Sequence, residues 1–387
     1  MPQNQTTAPY EKAVPDRAQV PGSETGYMLR GMLILLVLFG HALQFISHGG
    51  RDTFWEDPLF RGIYMFHMPL FMALAGYFSP PGRIAPNDLL ARSARLLWPM
   101  LTWAALAALL KAASQDRWPA LAGMTLGGFL NLYWFLWALV MALALVALGS
   151  RLGRGGALLY GLVFAFLLSP AASGVWLVLP LFAFTLPFFL AGRLWRSLEL
   201  QAAWRRRQRV WQRRSRQRGV MALWGPALIA LPVAGACFLI WDPGTYAYNN
   251  RADLLKDPFR VTLMFTGAAS ATLVAGRLLW RLAQSLTGSK SGQALARCGR
   301  ISLRIYLAQD LAFACLRAVL PHIPGAGSTD RLTQILVAAL ITGLLAGAIT
   351  LFWRGTAGVP WLSRLLWGRA EPERRASAQP LAPCPLA

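Results

Sequence analysis

Apolar residues in this chain gather into long runs that are separated by short polar segments. About ten of these runs approach the roughly 20 residues that a helix needs to cross a hydrocarbon layer of about 30 Å. The pattern predicts an all-α integral membrane protein, folded as a bundle of about ten transmembrane helices. The predicted spans are residues 28–47, 59–79, 97–113, 121–149, 156–169, 174–195, 220–241, 261–280, 301–320 and 331–353.

The polar connections between these runs alternate in charge. One set is rich in arginine and includes the run RRRQRVWQRRSRQRG at residues 205–219. The other set is richer in acids, such as Asp52, Asp257 and Asp330. Because short arginine-rich loops stay in the cytoplasm, the alternation predicts that both termini are cytoplasmic.

The same pattern predicts the domain organisation. A disordered polar tail is expected at residues 1–26, where Pro, Gln and Thr are frequent. A transmembrane domain follows at residues 27–355 and includes a basic cytoplasmic loop at residues 193–219. Residues 356–387 are expected to form a cytoplasmic C-terminal tail, and no second, soluble domain is predicted.

The composition of the chain indicates that its partner is a lipid bilayer and not a nucleic acid. Of the 387 residues, 56% are hydrophobic and 14% are charged, against about 25% charged residues in an ordinary soluble domain. The net charge of +22 would suggest nucleic-acid binding in a soluble protein, but here the basic residues lie between apolar runs and specify orientation. The four cysteines show no metal-like spacing, so no metal site is expected.

Ionisable residues inside membrane spans are costly, so each is a functional candidate. Arg30 and His41 lie eleven positions apart, which brings them to nearly the same face of the first helix. Gln44 follows one turn later on much the same face, where it is a candidate substrate-binding residue, and His67 reaches a comparable depth from the second span. A buried imidazole is expected to be neutral and able to accept a proton, which makes His41 a candidate general base. The alternative is that His41 only hydrogen-bonds a neighbouring helix.

A further polar group lies in the run ISLRIYLAQDLAF, in the predicted span 301–320. Tyr306 and Gln309 share one helical face, and Asp310 lies beside them. These side chains are expected in the middle of the span, where they would bind a substrate near the two histidines.

Two arginines precede the third span at its cytoplasmic end. Arg92 and Arg95 are three positions apart and share one face of a helix. Together with Arg30 they would suit a ligand with several phosphates, since guanidinium groups pair with phosphate in bidentate fashion. Arginines are also common at the cytoplasmic start of a membrane helix, so a role in orientation alone stays open.

These residues together resemble the membrane acyltransferase-3 family, in its fucose 4-O-acetylase-like branch. The segments RGMLILLVLFGH, FHMPLFMALAGYF, RSAR, YWFLWAL and SLRIYLAQ carry the resemblance, in this order over most of residues 27–320. The resemblance implies a multi-pass enzyme of the bacterial inner membrane that takes an acyl group, usually acetyl, from cytoplasmic acyl-CoA (acetyl-CoA). The implied acceptor is a hydroxyl of a sugar or cell-surface glycan at the outer face of that membrane.

The resemblance also implies roles for single residues. His41 matches the essential histidine of the family, and Arg30, Arg92 and Arg95 match arginines that serve the coenzyme. Where the family often has a second histidine, this chain has Gln309, whose amide can still hold a substrate hydroxyl. Two mechanisms stay open: His41 acts as a general base, with His67 or Gln309 steadying the oxyanion, or His41 carries the acyl group transiently.

A transporter is the alternative from a different functional class. Such a protein would move a polysaccharide or lipid-linked sugar, with His41, His67 and Asp310 as a proton relay. The arginines at the predicted cytoplasmic face favour the acyltransferase, because acyl-CoA needs cationic partners and a proton-coupled exporter does not.

Overall fold

In a computed structural model, the described part of the chain is helical and contains no β-strand. The structure describes residues 23–48, 52–79, 82–153, 155–169, 176, 178–208, 219–240, 257–319 and 330–368. Its helices are α1 (Ser23–His48), α2 (Pro58–Tyr77), α3 (Pro86–Gln115), α4 (Leu121–Gly127), α5 (Trp134–Gly149), α6 (Gly155–Leu168), α7 (Val178–Gln208), α8 (Gly219–Leu239), α9 (Pro258–Ser285), α10 (Lys290–Arg300), α11 (Ser302–Val319), α12 (Arg331–Ala357) and α13 (Pro360–Trp367).

In the part of the chain that the structure describes, six helices are long and apolar enough to cross a membrane, and the bent pair of Trp118–Leu132 with Trp134–Gly149 raises this number to seven. Two further apolar helices, Gly155–Leu168 and Pro226–Leu239, are shorter. The all-α integral membrane fold is therefore confirmed for the described residues. The number of ten crossings and the cytoplasmic position of both termini stay predictions.

The lipid-facing side of the bundle is well shown by α12. Its leucines at intervals of four and seven residues are more than half exposed, and they are Leu332, Leu336, Leu340, Leu344 and Leu351. In water such a continuous apolar stripe would be an aggregation liability. In a bilayer it contacts hydrocarbon, which is why this helix needs few apolar neighbours on that side.

Aspartates begin three of the long helices. The carboxylate of Asp57 accepts hydrogen bonds from the first backbone N–H groups of α2, Asp257 does so for α9, and Asp330 does so for α12. Each of these residues satisfies donors that have no partner within their own helix. The acid-rich connections thus contain residues that cap helices at the predicted outer face.

Close backbone contacts at glycines hold two helix pairs together. A Cβ added at Gly31 of α1 would collide with the Leu295 carbonyl of α10, and one at Gly299 of α10 would collide with the Tyr27 carbonyl of α1. In the same way, a Cβ at Gly76 of α2 would meet the backbone of α7. Small residues therefore let these helices approach more closely than larger side chains would allow.

The predicted span 121–149 is broken in the structure. Its two halves meet at an angle of 60°, and the first half ends in a π-helical turn at Gly128–Leu132. The indole N–H of Trp137 donates to the Phe129 carbonyl at 2.8 Å, which ties the irregular turn to the start of α5. Tyr133 lies at the break, so the amino end of α5 begins inside the apolar run.

Several helix boundaries differ from the predicted domain limits. The first helix begins at Ser23, inside the segment predicted as a tail, while residues 1–22 lie outside the described residues. At the other end α13 falls in the predicted C-terminal tail, because its Leu366 and Trp367 pack into the core. The predicted loop 193–219 begins as a continuation of α7 to Gln208.

A short amphipathic helix, α10, fills the connection between the predicted spans 261–280 and 301–320. Ser289 caps it by accepting from the Gly292 N–H at 2.9 Å. Gly292, Ala296 and Gly299 are buried, and the first and last of these contact backbone or side chains that leave no room for a Cβ. Its basic residues remain on the exposed side. The predicted spans place residues 290–300 in a loop.

Candidate active site

His41 lies in the second half of α1, and its ring is oriented from within its own helix. Its Nδ1 is 3.3 Å from the Oε1 of Gln44, three residues further on. In the tautomer in which Nδ1 donates to this amide oxygen, the lone pair of the neutral ring lies on Nε2. The ring also packs edge-on against Phe313 of α11, at 5.9 Å between centroids. His41 is therefore set up to accept a proton at Nε2.

His67 is buried in α2, with 2% of its surface exposed. Its Nδ1 donates to the Ile63 carbonyl at 2.9 Å, and its ring lies 4.4 Å from the ring of Tyr64. His67 is near enough to His41 for the two imidazoles to interact electrostatically. The structure thus places the two predicted histidines on α1 and α2, two helices that pack against each other. With Nδ1 engaged, the neutral His67 presents an acceptor at Nε2, not the donor that an oxyanion needs.

Tyr306 connects α11 to the break before α5. Its ring packs edge-on against the rings of Phe135, in the first turn of α5, and of Tyr133, at 5.9 Å and 6.3 Å between centroids. The hydroxyl of Tyr133, at the break itself, donates to the Leu307 carbonyl at 3.2 Å. These contacts hold α11 against the amino end of α5 and place Tyr133 next to Tyr306, while Asp310 is partly buried on the same helix as Tyr306.

Gln309 has a buried side-chain oxygen that lacks a hydrogen-bond partner among the described residues. Only 4% of its surface is exposed, yet its Oε1 accepts no hydrogen bond from the described residues. A buried amide oxygen without a donor is costly unless a ligand or water supplies one. The Oε1 of Gln309 can therefore accept a hydrogen bond from the hydroxyl of a ligand.

Arg30 lies at the other end of α1 from His41. Its guanidinium stacks 4.4 Å from the ring of Phe78, the residue that follows α2, and 5.9 Å from the ring of Tyr27. These cation–π contacts hold a partly buried charge against two aromatic rings. Among the described residues no carboxylate pairs with it.

Arg92 and Arg95 lie in the first part of α3. Arg92 is partly buried and Arg95 is exposed. Their helix is anchored beside them, since Gly368 after α13 lies against the Arg95 carbonyl. No hydrogen bond or ring contact joins either arginine to Arg30 within the described residues. The structure thus leaves the two arginines accessible but does not show the three arginines as one cluster.

Two residues that make these contacts, Tyr64 and Tyr133, were not predicted from the sequence. Tyr64 precedes His67 by three positions, so the helical period alone places both on one face. Tyr133 lies within the segment YWFLWAL, but its contact with α11 depends on the break that separates it from the preceding helix. No group of three metal-ligating side chains forms among the residues that the structure describes.

The fold and this site define an integral membrane protein with a histidine-containing polar centre inside its helical bundle. Residues 28–367 match the family model described as an acyltransferase domain, and the chain belongs to this acyltransferase-3 family. It is accordingly a membrane acyltransferase, and the predicted resemblance to this family is confirmed.

Two curated relatives extend the comparison over nearly the whole chain. Nodulation protein NolL of Sinorhizobium fredii (strain NBRC 101917 / NGR234) is 31% identical over 369 residues, covering 90% of this chain and 93% of the relative. Nodulation protein NolL of Mesorhizobium japonicum (strain LMG 29417 / CECT 9101 / MAFF 303099) is 30% identical over 354 residues, covering 88% of each. No solved structure matches the chain.

Proposed function

We propose that this acyltransferase transfers an acyl group, acetyl in the first instance, from cytoplasmic acyl-CoA to a hydroxyl of a sugar or cell-surface glycan. The acceptor is bound from the outer face of the bacterial inner membrane. The contact of His41 with Gln44 carries the proposal, because the tautomer with its proton on Nδ1 leaves the Nε2 lone pair available to a general base. The names of the relatives place them in nodulation, which is compatible with a secreted or surface acceptor.

The acceptor hydroxyl is positioned by Gln309 and deprotonated by His41. The hydroxyl donates to the free Nε2 of His41 as its oxygen attacks the thioester carbonyl carbon, which forms the new C–O bond. The buried amide of Gln309 holds the sugar through Oε1, and its NH₂ group donates to the oxyanion. The tetrahedral intermediate then breaks the C–S bond, and the departing thiolate takes the proton from the His41 imidazolium.

The donor enters from the end of the bundle where Arg30, Arg92 and Arg95 lie. Each of these guanidiniums is without a carboxylate partner among the described residues, so each has donors to offer to a phosphate. Arg30 and His41 belong to one helix, separated by eleven residues or about 16 Å of helical rise. One helix therefore connects the phosphate end of the donor to the reacting centre.

Cells producing the wild-type protein or the His41→Ala variant provide the test. Surface glycans are compared by proton NMR and mass spectrometry for ester-linked acyl groups and for total glycan, at matched amounts of protein in the membrane. The proposal predicts loss of acyl esters from His41→Ala cells with unchanged glycan quantity. Unchanged acylation together with less exported glycan would overturn it and favour the transporter that the sequence had left as an alternative.

A further inference from the structure

Two arginines from different helices meet at one tyrosine ring. Arg30 lies one turn after Tyr27 on α1, and Arg300 is the last residue of α10. Their guanidinium carbons lie 5.9 Å and 5.7 Å from the centroid of the Tyr27 ring. The two helices are far apart in sequence, so only the tertiary fold brings the two charges to this ring.

The close packing of α1 and α10 explains why Arg300 reaches Tyr27. Gly299 lies against the Tyr27 carbonyl and the Gly31 amide, and a Cβ there would collide with both. Helix α10 ends at Arg300, and α11 begins at Ser302, so the side chain of Arg300 projects from the break between two helices. The glycine contact therefore fixes the position of the arginine.

Arg30 and Arg300 have no carboxylate partner among the residues that the structure describes. Within the described residues, neither Arg30 nor Arg300 forms an ion pair or hydrogen bond with a side chain. Two cations against one ring repel each other and gain only the modest attraction of the aromatic face. A multiply charged anion between them would remove that repulsion and use the guanidinium forks in bidentate contacts.

We propose that Arg30, Arg300 and the ring of Tyr27 form a second phosphate subsite for the donor coenzyme, distinct from Arg92 and Arg95 on α3. This inference rests on the proposed acyl-CoA donor. Coenzyme A carries a diphosphate next to its pantetheine arm and a separate 3′-phosphate on the ribose. Arg30 is partly buried and shares a helix with His41, whereas Arg300 is exposed at the end of the bundle. Arg300 accordingly binds the 3′-phosphate, the phosphate furthest from the thioester, and Arg30 binds the diphosphate.

The matched variants are Arg300→Gln and Arg297→Gln. Both arginines are exposed and lie in the last turn of α10. Arg297 donates through Nε to the Gln293 carbonyl of its own helix at 3.3 Å, and among the described residues it forms no cation–π contact with Tyr27. The KM for acetyl-CoA and for acetyl-dephospho-CoA, which lacks only the 3′-phosphate, is measured with purified protein in lipid nanodiscs. Size-exclusion profiles confirm that each variant is folded.

The wild-type protein is expected to have a lower KM for acetyl-CoA than for acetyl-dephospho-CoA. Arg300→Gln should raise the KM for acetyl-CoA by about tenfold or more, while the KM for acetyl-dephospho-CoA and both kcat values stay unchanged. Arg297→Gln should match the wild type with both donors.

Three results would overturn the subsite. The KM for both donors rises equally in Arg300→Gln, the variant behaves like the wild type, or the wild-type protein does not distinguish the two donors. A wild-type protein that transfers acetyl from neither donor would instead overturn the proposed donor itself, and the subsite with it.

Discussion

The Oε1 of Gln44 lies 3.3 Å from Nδ1 of His41, one helical turn away on α1. Because both residues belong to the same helix, this hydrogen bond forms as soon as the helix does and needs no partner from another element. It favours the tautomer in which Nδ1 carries the proton and Nε2 carries the lone pair. The chemistry that we assign to His41 therefore depends on Gln44, to whose predicted role in substrate binding the structure adds an orienting role.

Removing the acceptor at position 44 should impair catalysis without removing the base. In Gln44→Leu, the His41 ring loses the partner that selects its tautomer, so kcat should fall by about tenfold to a hundredfold. Gln44→Glu keeps an acceptor at the same place and should retain much more activity. Acetyl transfer by the two purified variants is the measurement, and equal activity of Gln44→Leu and the wild type would contradict the orienting role.

Gln309 is predicted to bind the acceptor hydroxyl and to stabilise the oxyanion, so its loss should raise the KM for the acceptor and lower kcat without changing the KM for the donor. Gln309→Ala removes the buried Oε1 that has no partner in the described residues. The KM for the acceptor should rise by about tenfold, which is the value of one buried hydrogen bond, while the KM for acetyl-CoA stays the same. Steady-state kinetics with each substrate varied in turn separates the two effects. A rise confined to the donor KM would place Gln309 elsewhere in the reaction.

Two glycines of α2 make a matched pair for stability. A Cβ at Gly76 would collide with the Phe189 carbonyl of α7, whereas one at Gly62 would meet nothing within 4 Å. Gly76→Ala should lower the free energy of unfolding by about 1 to 3 kcal/mol through overpacking. Gly62→Ala should be neutral or stabilising by up to about 1 kcal/mol, because alanine favours the helix. Thermal unfolding in detergent compares them, and equal midpoints would show that α2 and α7 are not in backbone contact.

The charged carboxylate of Asp57 is predicted to stabilise the packing of α1, α2 and α12. The Nη2 of Arg331 lies 2.6 Å from both of its carboxylate oxygens, and Nε2 of His48 lies 3.2 Å from one of them. Asparagine caps a helix about as well as aspartate, so Asp57→Asn removes the charge but keeps the cap. The variant should lose about 2 kcal/mol of stability at neutral pH, less than a fully buried pair would lose because Arg331 is partly exposed.

The effect of Asp57 should depend on pH in a defined direction. Burial acts to raise the pKa of this carboxyl, but hydrogen bonds from Arg331 and His48 outweigh burial and hold the pKa below its usual value. The stabilisation is therefore present above the unfolded pKa of about 4 and is lost as the pH falls through the lower folded pKa. The gap in unfolding midpoint between wild type and Asp57→Asn should close in acid. A gap that stays constant or widens would contradict the ion pair.

The residues that could be predicted from the sequence are those set by local spacing. The helical period placed Tyr306 and Gln309 on one face, and apolar surroundings marked His67 as buried, and the structure agrees on both points. The same period placed Arg30 and His41 on one side of α1, and it could not indicate which neighbours each would meet. Arg30 contacts Phe78 after α2, and His41 contacts the ring of Phe313 in α11.

Contacts between distant segments were beyond the sequence pattern. The pair of Asp57 and Arg331 spans 274 positions, and nothing in either segment specifies the other. The contact of Tyr133 with α11 depends on the 60° break before α5. Hydropathy alone predicts one continuous span over this segment. Helix α10 was hidden in a polar connection because its buried residues are glycine and alanine, whose small side chains give little hydrophobic signal.

The most direct test of the central claim is the rate of labelled acetyl transfer from acetyl-CoA by purified protein in nanodiscs, with the glycan fraction of the producing cells as acceptor. His41→Ala is compared with the wild type and with His48→Ala, a histidine of the same helix that faces Asp57 instead of the polar centre. If His41 is the general base, its removal lowers the rate by about 10² to 10⁴ while His48→Ala retains transfer. Transfer by His41→Ala at the wild-type rate would contradict the account.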